Sequence, residues 1–155
     1  MKKTINVLLL SFLLFGAGSC IKNEGCQDKT VLSEQATMNA YAASNGITAT
    51  THSSGLLYEI TNPGSGPMPS PYSTISVKYT GKLLDGTVFD TQTANAITFS
   101  LGQAIFGWQL GLPLIRKGGS IKLIIPSSLA YGCAGKSPIP SNAILYFEIQ
   151  LVDVL

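Results

Sequence analysis

Five side chains in the second half of the chain could build one site, namely Tyr79, Phe89, Asp90, Trp108 and Tyr131. A concave apolar pocket could gather these rings, because aromatic side chains bury large apolar surfaces while a phenol hydroxyl or an indole N–H still finds a polar partner. The carboxylate would then stand in an otherwise apolar wall. The residue types therefore predict an apolar binding pocket that orients its ligand through a few polar groups.

The chain lacks the groups that other kinds of catalysis need. His52 is its one histidine and lies in a Thr/Ser-rich connector. Without a Gly-x-Ser-x-Gly segment, it does not predict a Ser-His-Asp hydrolase. Without clustered Cys, Asp or Glu, it does not predict zinc or iron ligation. We expect no metal site and no cofactor, and we expect His52 to be exposed.

The segments that must position the pocket are mostly strands. Apolar and polar residues alternate from Ile75 to Thr80, and Asp85-Gly86 marks a tight hairpin. In the last strand Leu145 and Phe147 alternate with Tyr146 and Glu148, which predicts one buried face. The predicted strands are Leu56–Thr61, Thr74–Leu84, Thr87–Thr91, Ile97–Leu101, Ser120–Ile125 and Ile144–Val154.

One short helix is predicted between these strands. It covers Trp108–Leu112, is interrupted by Gly111, and is ended by Pro113, which cannot continue a helix. A strand-rich chain with one short helix predicts an α+β domain in which a curved antiparallel sheet wraps on that helix.

A second helix is predicted ahead of the domain, over Thr30–Ser44 with Gly46 as its stop. We expect it to pack on the domain through Val31, Leu32, Met38 and Tyr41, because so few large apolar residues cannot stabilise an isolated helix. Self-association through this helix is the alternative. Residues 21–29 are polar and without periodicity, which is typical of a tether.

The amino end has the pattern of a secretory signal. Lys2-Lys3 precede the apolar run Val7–Phe15, which is too short to span a bilayer, and small residues lead to Cys20. This arrangement resembles a bacterial lipoprotein signal, although Ala17 stands where the usual motif has Leu. We therefore expect lipidation of Cys20 and anchoring to a membrane. Ordinary cleavage, giving a soluble periplasmic protein, is the alternative.

Charge and cysteine content limit the partners. Loss of residues 1–19 would remove Lys2-Lys3 and leave eight basic residues against eight acidic ones, so no nucleic-acid partner is expected. Cys26 and Cys133 make no disulfide framework. We favour Cys133 as a small apolar loop residue. A bridge is permitted outside the cytoplasm, but nothing in the sequence brings the two Cα atoms within about 7 Å.

The order of several short motifs resembles the FKBP-type peptidyl-prolyl cis-trans isomerases from about Gly55 to Leu155. These motifs are Tyr79-Thr-Gly81, Asp85-Gly86, Phe89-Asp90, Leu101-Gly102, Gly107-Trp108, Tyr131-Gly132 and Ile139-Pro140. The resemblance implies an FKBP-like fold. Together with the signal pattern, the tether and the predicted first helix, it divides the chain into a signal peptide (1–19), lipidated Cys20 with its tether (20–29), an N-terminal helix and connector (30–54) and the isomerase domain (55–155).

The resemblance also implies the site residues. The implied catalytic residues are Asp90, Tyr131, Trp108 and Phe89, and the implied substrate-binding residues are Tyr79, Ile97, Phe99, Ala104, Ile105, Ile139 and Phe147. In this family the indole that corresponds to Trp108 forms the pocket floor under the proline ring. The phenol that corresponds to Tyr131 donates a hydrogen bond to a substrate carbonyl, and neighbours such as Tyr79 hold the carboxylate of Asp90.

Two functions follow from the resemblance. The first is isomerisation of X-Pro bonds in exported polypeptides, which needs no nucleophile, base or metal. Rotation about such a bond must cross ~18–20 kcal/mol, and a dry pocket that binds the twisted amide better than the planar one lowers this barrier. Macrolide inhibitors would be ligands of the same pocket. The second function is that of an inactive module which holds proline-containing partners.

Overall fold

The computed structural model describes residues 25–155, so the predicted signal peptide and Cys20 lie outside the described residues. The described part has one six-stranded sheet in the order β1-β2-β5-β6-β3-β4, and every neighbouring pair is antiparallel. The elements are α1 (Val31–Ser44), β1 (Thr50–Thr51), β2 (Leu57–Asn62), β3 (Thr74–Leu83), β4 (Val88–Ser100), α2 (Phe106–Gly111), β5 (Ser120–Ile125) and β6 (Leu145–Val154). Within residues 25–155, neither helix has the length and apolar character that crossing a membrane requires. The predicted α+β class is confirmed.

The hairpin between β3 and β4 forms where the sequence predicts it. The N–H of Thr87 donates to the Asp85 carboxylate at 2.8 Å, and Gly86 adopts a φ of +91°, a conformation that glycine takes without steric cost. Along β3 the predicted alternation holds, because Ile75, Val77 and Tyr79 are all buried. This hairpin sets the register in which the start of β4 pairs with β3, with Asp90 opposite Gly81.

β4 is one strand where the sequence predicts two. Its pairing with β3 passes directly from Val77 opposite Ile97 to Tyr79 opposite Gln92, so residues 93–96 form a bulge. These four residues of β4 lie opposite the single residue Lys78 of β3, which interrupts the register of the alternation. A bulge bends the strand without ending it, and the first half of β4 is thereby turned relative to the second.

α2 packs on the core face of the sheet. A Cβ atom on Gly107 would lie 2.5 Å from Ile125, and one on Gly111 would lie 2.7 Å from Leu123, so only glycine permits this close approach. The helix begins at Phe106, two residues before the prediction, and passes into a 3-10 turn at Leu112–Leu114, which contains Pro113. Helix and strands together bury Trp108 in the main core.

α1 covers the opposite face of the sheet. The Thr30 side chain accepts from the N–H of Ser33 and caps the helix. Met38 is fully buried in a second core, together with Leu57 and Tyr146. Tyr146 was expected on the solvent face of β6, but α1 covers it. The packing of α1 on the domain is therefore confirmed.

The face that α1 buries agrees with the prediction at Met38 and Tyr41 and differs from it at Leu32. Leu32 is 85% exposed, whereas Glu34 is buried together with Met38 and Ala42. These three lie four residues apart and so share one side of the helix, and Leu32 lies on another side. The Glu34 carboxylate accepts from the N–H of Ser127 at 2.8 Å, which satisfies one of its buried oxygens.

Cys26 and Cys133 form a disulfide, contrary to the sequence prediction of a free Cys133. Their Cα atoms are 5.3 Å apart, within the range that a bridge requires. Residues Cys26–Lys29, here called the N-terminal arm, are also bonded to residues 133 and 142. The end of the predicted tether therefore lies on the domain.

His52 is half-buried, and the prediction that it is exposed is wrong. Its Nδ1 accepts from the N–H of Ser54 at 3.2 Å and lies 2.9 Å from the Ser54 hydroxyl. These contacts hold the turn between β1 and β2, so His52 has a structural role.

Candidate functional site

A cavity of about 260 Å³ opens where α2, β3, β4 and β6 meet the loop that follows β5. It is lined by Tyr79, Phe89, Asp90, Phe99, Gln103, Ala104, Ile105, Trp108, Tyr131, Lys136 and Phe147. All the residues that the resemblance implied are in this set except Ile97 and Ile139. The structure thus brings the implied catalytic residues together, while their individual roles stay predictions.

The alternation of the central strands supplies two walls of the cavity. Tyr79 on β3 and Phe147 on β6 belong to the buried faces of their strands. Gly81 lies between the rings of Phe147 and Phe89, and a Cβ atom there would approach each ring to 2.7 Å. The missing side chain of Gly81 therefore allows these two rings to meet.

The aromatic rings meet mainly edge to face. The centroid of Trp108 lies 5.0 Å from that of Tyr79 and 5.2 Å from that of Phe147, with interplanar angles of 86° and 85°. Phe89 meets Phe147 at 5.5 Å in the same manner. Such arrangements place the positive edge of one ring on the negative face of the next and fix the orientation of both. The cavity wall is therefore preorganised.

Trp108 is buried and still lines the cavity. Its indole N–H has no acceptor among the residues that the structure describes. Trp108 thus lies where the implied pocket floor would be, and that role remains a prediction.

Asp90 is bound by Tyr79. The Tyr79 hydroxyl donates to the Asp90 carboxylate at 2.6 Å, a short bond of the kind that an ionised acceptor makes. Burial and, secondly, this hydrogen bond raise the pKa of Tyr79 well above its ordinary value. The phenol therefore stays protonated at neutral pH and keeps the carboxylate at the edge of the cavity.

Ile97 and Ile139 lie outside the cavity lining. Ile97 follows the bulge in β4 and packs against the main core, and Ile139 is 7% exposed within that core. Their implied role in substrate binding remains a prediction. Because neither residue lines the cavity, each would act on a substrate only through the residues that do.

Gln103 and Lys136 line the cavity and were not identified from the sequence. The ammonium of Lys136 lies 5.5 Å from the centroid of the Tyr131 ring, within cation–π range. Lys136 belongs to a loop without periodicity, and Gln103 follows Leu101-Gly102 in a 3-10 turn. For these two residues the sequence offered one signal of a place in the site, namely that Gln103 directly follows the Leu101-Gly102 motif.

A second cavity, of about 310 Å³, lies over the other face of the sheet. Its walls carry outward-facing polar residues such as Lys78, Thr80 and Gln150. Lys122, also in its wall, is already paired with Glu59 at 2.7 Å. This cavity lacks the ring cluster of the first one, so its larger volume does not make it the better site.

Comparison with known proteins agrees with this geometry. The sequence matches the FKBP-type peptidyl-prolyl cis-trans isomerase family over residues 66–152. The FKBP-type isomerase FkpA of Escherichia coli is 44% identical over 106 residues, which are 67% of this chain and 39% of that protein. A probable FkpA of Neisseria meningitidis is 42% identical over 77% of this chain and 44% of its own length. The chain thus spans less than half the length of these curated relatives.

Solved structures show the same fold. The crystal structure of FkpA from Escherichia coli has a TM-score of 0.71 at 38% identity and covers 80% of this chain and 60% of its own. A peptidyl-prolyl cis-trans isomerase from Pseudomonas syringae pv. tomato has a TM-score of 0.68 at 30% identity and covers 83% of this chain and 98% of its own. The family match spans more than half of the chain, and the fold agrees with it. The chain therefore belongs to the FKBP-type peptidyl-prolyl cis-trans isomerases.

Proposed function

We propose that this chain accelerates cis–trans isomerisation of X-Pro bonds in the aromatic cavity. The observation that carries the proposal is the edge-to-face cluster of Tyr79, Trp108 and Phe147, with Asp90 and Tyr131 in the same cavity. The proline ring enters this cavity and rests on the indole. The apolar walls remove water from the X-Pro amide, which precedes this ring.

The cavity lowers the barrier by binding the twisted amide better than the planar one. Twisting removes amide resonance and reduces the dipole, so a dry apolar site favours the twisted form over the planar one. The Tyr131 hydroxyl adds a hydrogen bond to a substrate carbonyl. Every 1.36 kcal/mol of such differential binding is worth about a factor of ten in rate. Asp90 holds Tyr79 in place and transfers no proton.

The activity is tested by NMR exchange between the cis and trans forms of a short Ala-Leu-Pro-Phe peptide. The full chain is added at a small fraction of the peptide concentration. We expect exchange broadening of the proline signals, because unassisted isomerisation takes tens to hundreds of seconds. Sharp, unaffected signals, together with peptide binding, would favour the alternative of a binding module. Macrolide inhibitors are expected to occupy the same cavity and to abolish the broadening.

We further propose that the protein is exported and lipid-anchored through Cys20, with X-Pro segments of exported polypeptides as its substrates. The support is the signal pattern from Lys2-Lys3 to Cys20, and the Cys26–Cys133 disulfide is typical of proteins outside the reducing cytoplasm. Mass spectrometry of the protein isolated from membranes is the test. A mature terminus at Cys20 carrying acyl chains is expected, and an unmodified terminus would contradict the proposal.

A further inference from the structure

The part of the cavity wall that holds Tyr131 is a loop, here called the Tyr131 loop (residues 126–142). Strands fix Tyr79 and Phe147 through their hydrogen-bonded neighbours, but Tyr131 lies between two short 3-10 turns, Ser127–Leu129 and Gly132–Ala134. An irregular loop has no ladder of backbone bonds to fix its side chains. Bonds within the loop, such as that from the N–H of Gly135 to the carbonyl of Tyr131 at 3.1 Å, hold its turns. Contacts from outside the loop are needed to hold those turns against the rest of the domain.

The N-terminal arm supplies such contacts on the carboxyl side of Tyr131. The Asp28 carboxylate accepts from the N–H of Cys133 at 2.7 Å, and the disulfide joins Cys133 to Cys26. A Cβ atom on Gly132 would lie 2.5 Å from the same Asp28 oxygen, so this carboxylate lies directly against the residue that follows Tyr131. The arm thus holds the loop within two residues of the phenol.

The arm is held at a further point of the same loop. The Asn142 side chain accepts from the N–H of Lys29 at 3.2 Å and donates to the carbonyl of Gln27 at 3.1 Å. The N–H of Asn142 in turn donates to the carbonyl of Gly132 at 2.8 Å. The arm is therefore bonded to both ends of the segment that begins just after Tyr131.

α1 supplies a contact on the amino side of Tyr131. The carboxylate of Glu34 accepts from the N–H of Ser127, and the two residues are 2% and 0% exposed. Removing a buried carboxylate from water is costly unless it is bonded. Because it is bonded to the first residue of the Ser127–Leu129 turn, this interaction fixes the turn from which the chain continues to Tyr131.

We propose that the N-terminal segment from Cys26 to Glu34 is a positioning element of the isomerase site, with Asp28 as a positioning residue that acts through Tyr131. The inference rests on the proposed function, since it assigns Asp28 a role in that reaction. It extends the catalytic unit beyond residues 66–152 that match the family. Without the arm, the phenol samples positions from which its hydroxyl misses the substrate carbonyl.

The first test is a double-mutant cycle on kcat/KM for the Ala-Leu-Pro-Phe peptide, with the full chain. Asp28→Ala is expected to lower kcat/KM about twofold to fivefold, because misplacing a catalytic group is costly. The loss should not exceed the roughly fivefold loss expected from removing the Tyr131 hydroxyl and its one hydrogen bond. Asp28→Asn keeps the Oδ1 acceptor and restores the rate. In a Tyr131→Phe background Asp28→Ala is expected to have no further effect, since the hydroxyl on which it acts is gone.

The matched control is Asp153→Ala. Asp153 is also a surface carboxylate that accepts from a backbone N–H, that of Val154 at 2.8 Å, but it bonds to Lys117 and not to the Tyr131 loop. We expect this variant to keep the parent rate. An equal loss in Asp28→Ala and Asp153→Ala, or an equal loss from Asp28→Ala with and without the Tyr131 hydroxyl, would overturn the inference.

A second test does not depend on catalysis. NMR spectra of the chain with ¹³C-labelled tyrosine rings are compared for the parent and the three aspartate variants. The Tyr131 signals are expected to shift and broaden in Asp28→Ala, and to match the parent in Asp28→Asn and Asp153→Ala. Unchanged Tyr131 signals in Asp28→Ala overturn the inference. A parent chain without isomerase activity would overturn the proposed function instead, and the ring spectra would still decide the role of the arm.

Discussion

Tyr79 and Tyr131 line the same cavity, and we assign different hydrogen-bond partners to their hydroxyl groups. The Tyr79 hydroxyl donates a hydrogen bond to Asp90 at 2.6 Å, so it helps to hold the wall of the cavity. Tyr131 comes from a loop and lines the same cavity, and we assign its hydroxyl to the substrate. Under the proposed function, this division accounts for a carboxylate in a site for an uncharged reaction, because Asp90 then orients a neighbouring ring and transfers no proton.

Replacement of Tyr131 by Phe tests the substrate hydrogen bond at the level of one atom. We expect kcat/KM for the Ala-Leu-Pro-Phe peptide to fall about fivefold, since one hydrogen bond is worth about 1 kcal/mol. The loss should appear in kcat, because the bond is made chiefly to the twisted amide. The control is Tyr72→Phe, which removes the hydroxyl of a residue that is 94% exposed and outside the cavity. A rise in KM with kcat unchanged would mean that both amide forms receive the bond equally.

The raised pKa of Tyr79 predicts a loss of stability at alkaline pH. Burial and the bond to Asp90 raise this pKa above the unfolded value of 10.0, so above pH 10 the folded state binds more protons than the unfolded one. Stability from this group is complete below that pH and falls as the pH rises through it. Urea unfolding at several pH values between 8 and 11 should show the decline.

Tyr79→Phe should flatten this decline. The variant lacks the ionisable group, so its free energy of unfolding should fall less between pH 9 and 11 than that of the parent. The decline should not vanish, because burial and the hydrogen bond to Glu148 also raise the pKa of Tyr146. Parallel pH curves for the parent and the variant would show that Tyr79 does not contribute. At pH 7 the variant should be about 1 kcal/mol less stable, through loss of one hydrogen bond.

Among the elements, α1 is the one whose packing partners the sequence described least well. Met38 is fully buried, whereas Leu32, an equally apolar residue of the same helix, is 85% exposed. Met38→Ala should therefore lower the free energy of unfolding by about 2–5 kcal/mol, the usual cost of this truncation in a core. Leu32→Ala should change it by less than about 0.5 kcal/mol. Urea unfolding of both variants decides, and equal effects would contradict the observed docking of α1.

Much of the sheet could be predicted because its signals are local. Alternation along β3 and the Asp85-Gly86 turn involve neighbouring residues, and these predictions were confirmed. Along β6 the alternation holds from Phe147 to Leu151, but Tyr146 is buried as well. The family resemblance carried by the order of short motifs implied most of the residues that line the cavity, and it also implied Ile97 and Ile139, which lie outside the lining. The sequence predicts two strands where β4 has its bulge, because a bulge interrupts the alternation of side chains while pairing continues on both sides.

The contacts of the N-terminal segment could not be predicted, because they join residues far apart in the chain. The Cys26–Cys133 bridge spans 107 residues, and the bond from Ser127 to Glu34 spans 93. Periodicity predicts burial of apolar side chains, so it could not place Glu34 in a buried position. Such pairs become evident only when the whole fold is known. For this reason the sequence favours Cys133 as a small apolar loop residue and does not predict its bridge.

At the scale of the whole molecule, the sheet is covered on both faces by different helices. α2 covers the face that carries the aromatic cavity, and α1 covers the other face at the end near Tyr146. From α1 the chain reaches back through the N-terminal arm to the Tyr131 loop. The N-terminal segment therefore contacts both the second core and the Tyr131 loop.

The disulfide should stabilise the whole molecule because it closes a loop of 107 residues. A cross-link stabilises mainly by restricting the unfolded chain, and it typically contributes about 2–4 kcal/mol. Urea unfolding at neutral pH should therefore show a loss of this size when a reductant is added to the parent. In a Cys26→Ser, Cys133→Ser variant the reductant should have no effect, and its stability should equal that of the reduced parent. If the reductant left the stability of the parent unchanged, the arm would not be covalently joined to the Tyr131 loop in solution, and Asp28 would have to hold the loop without that link.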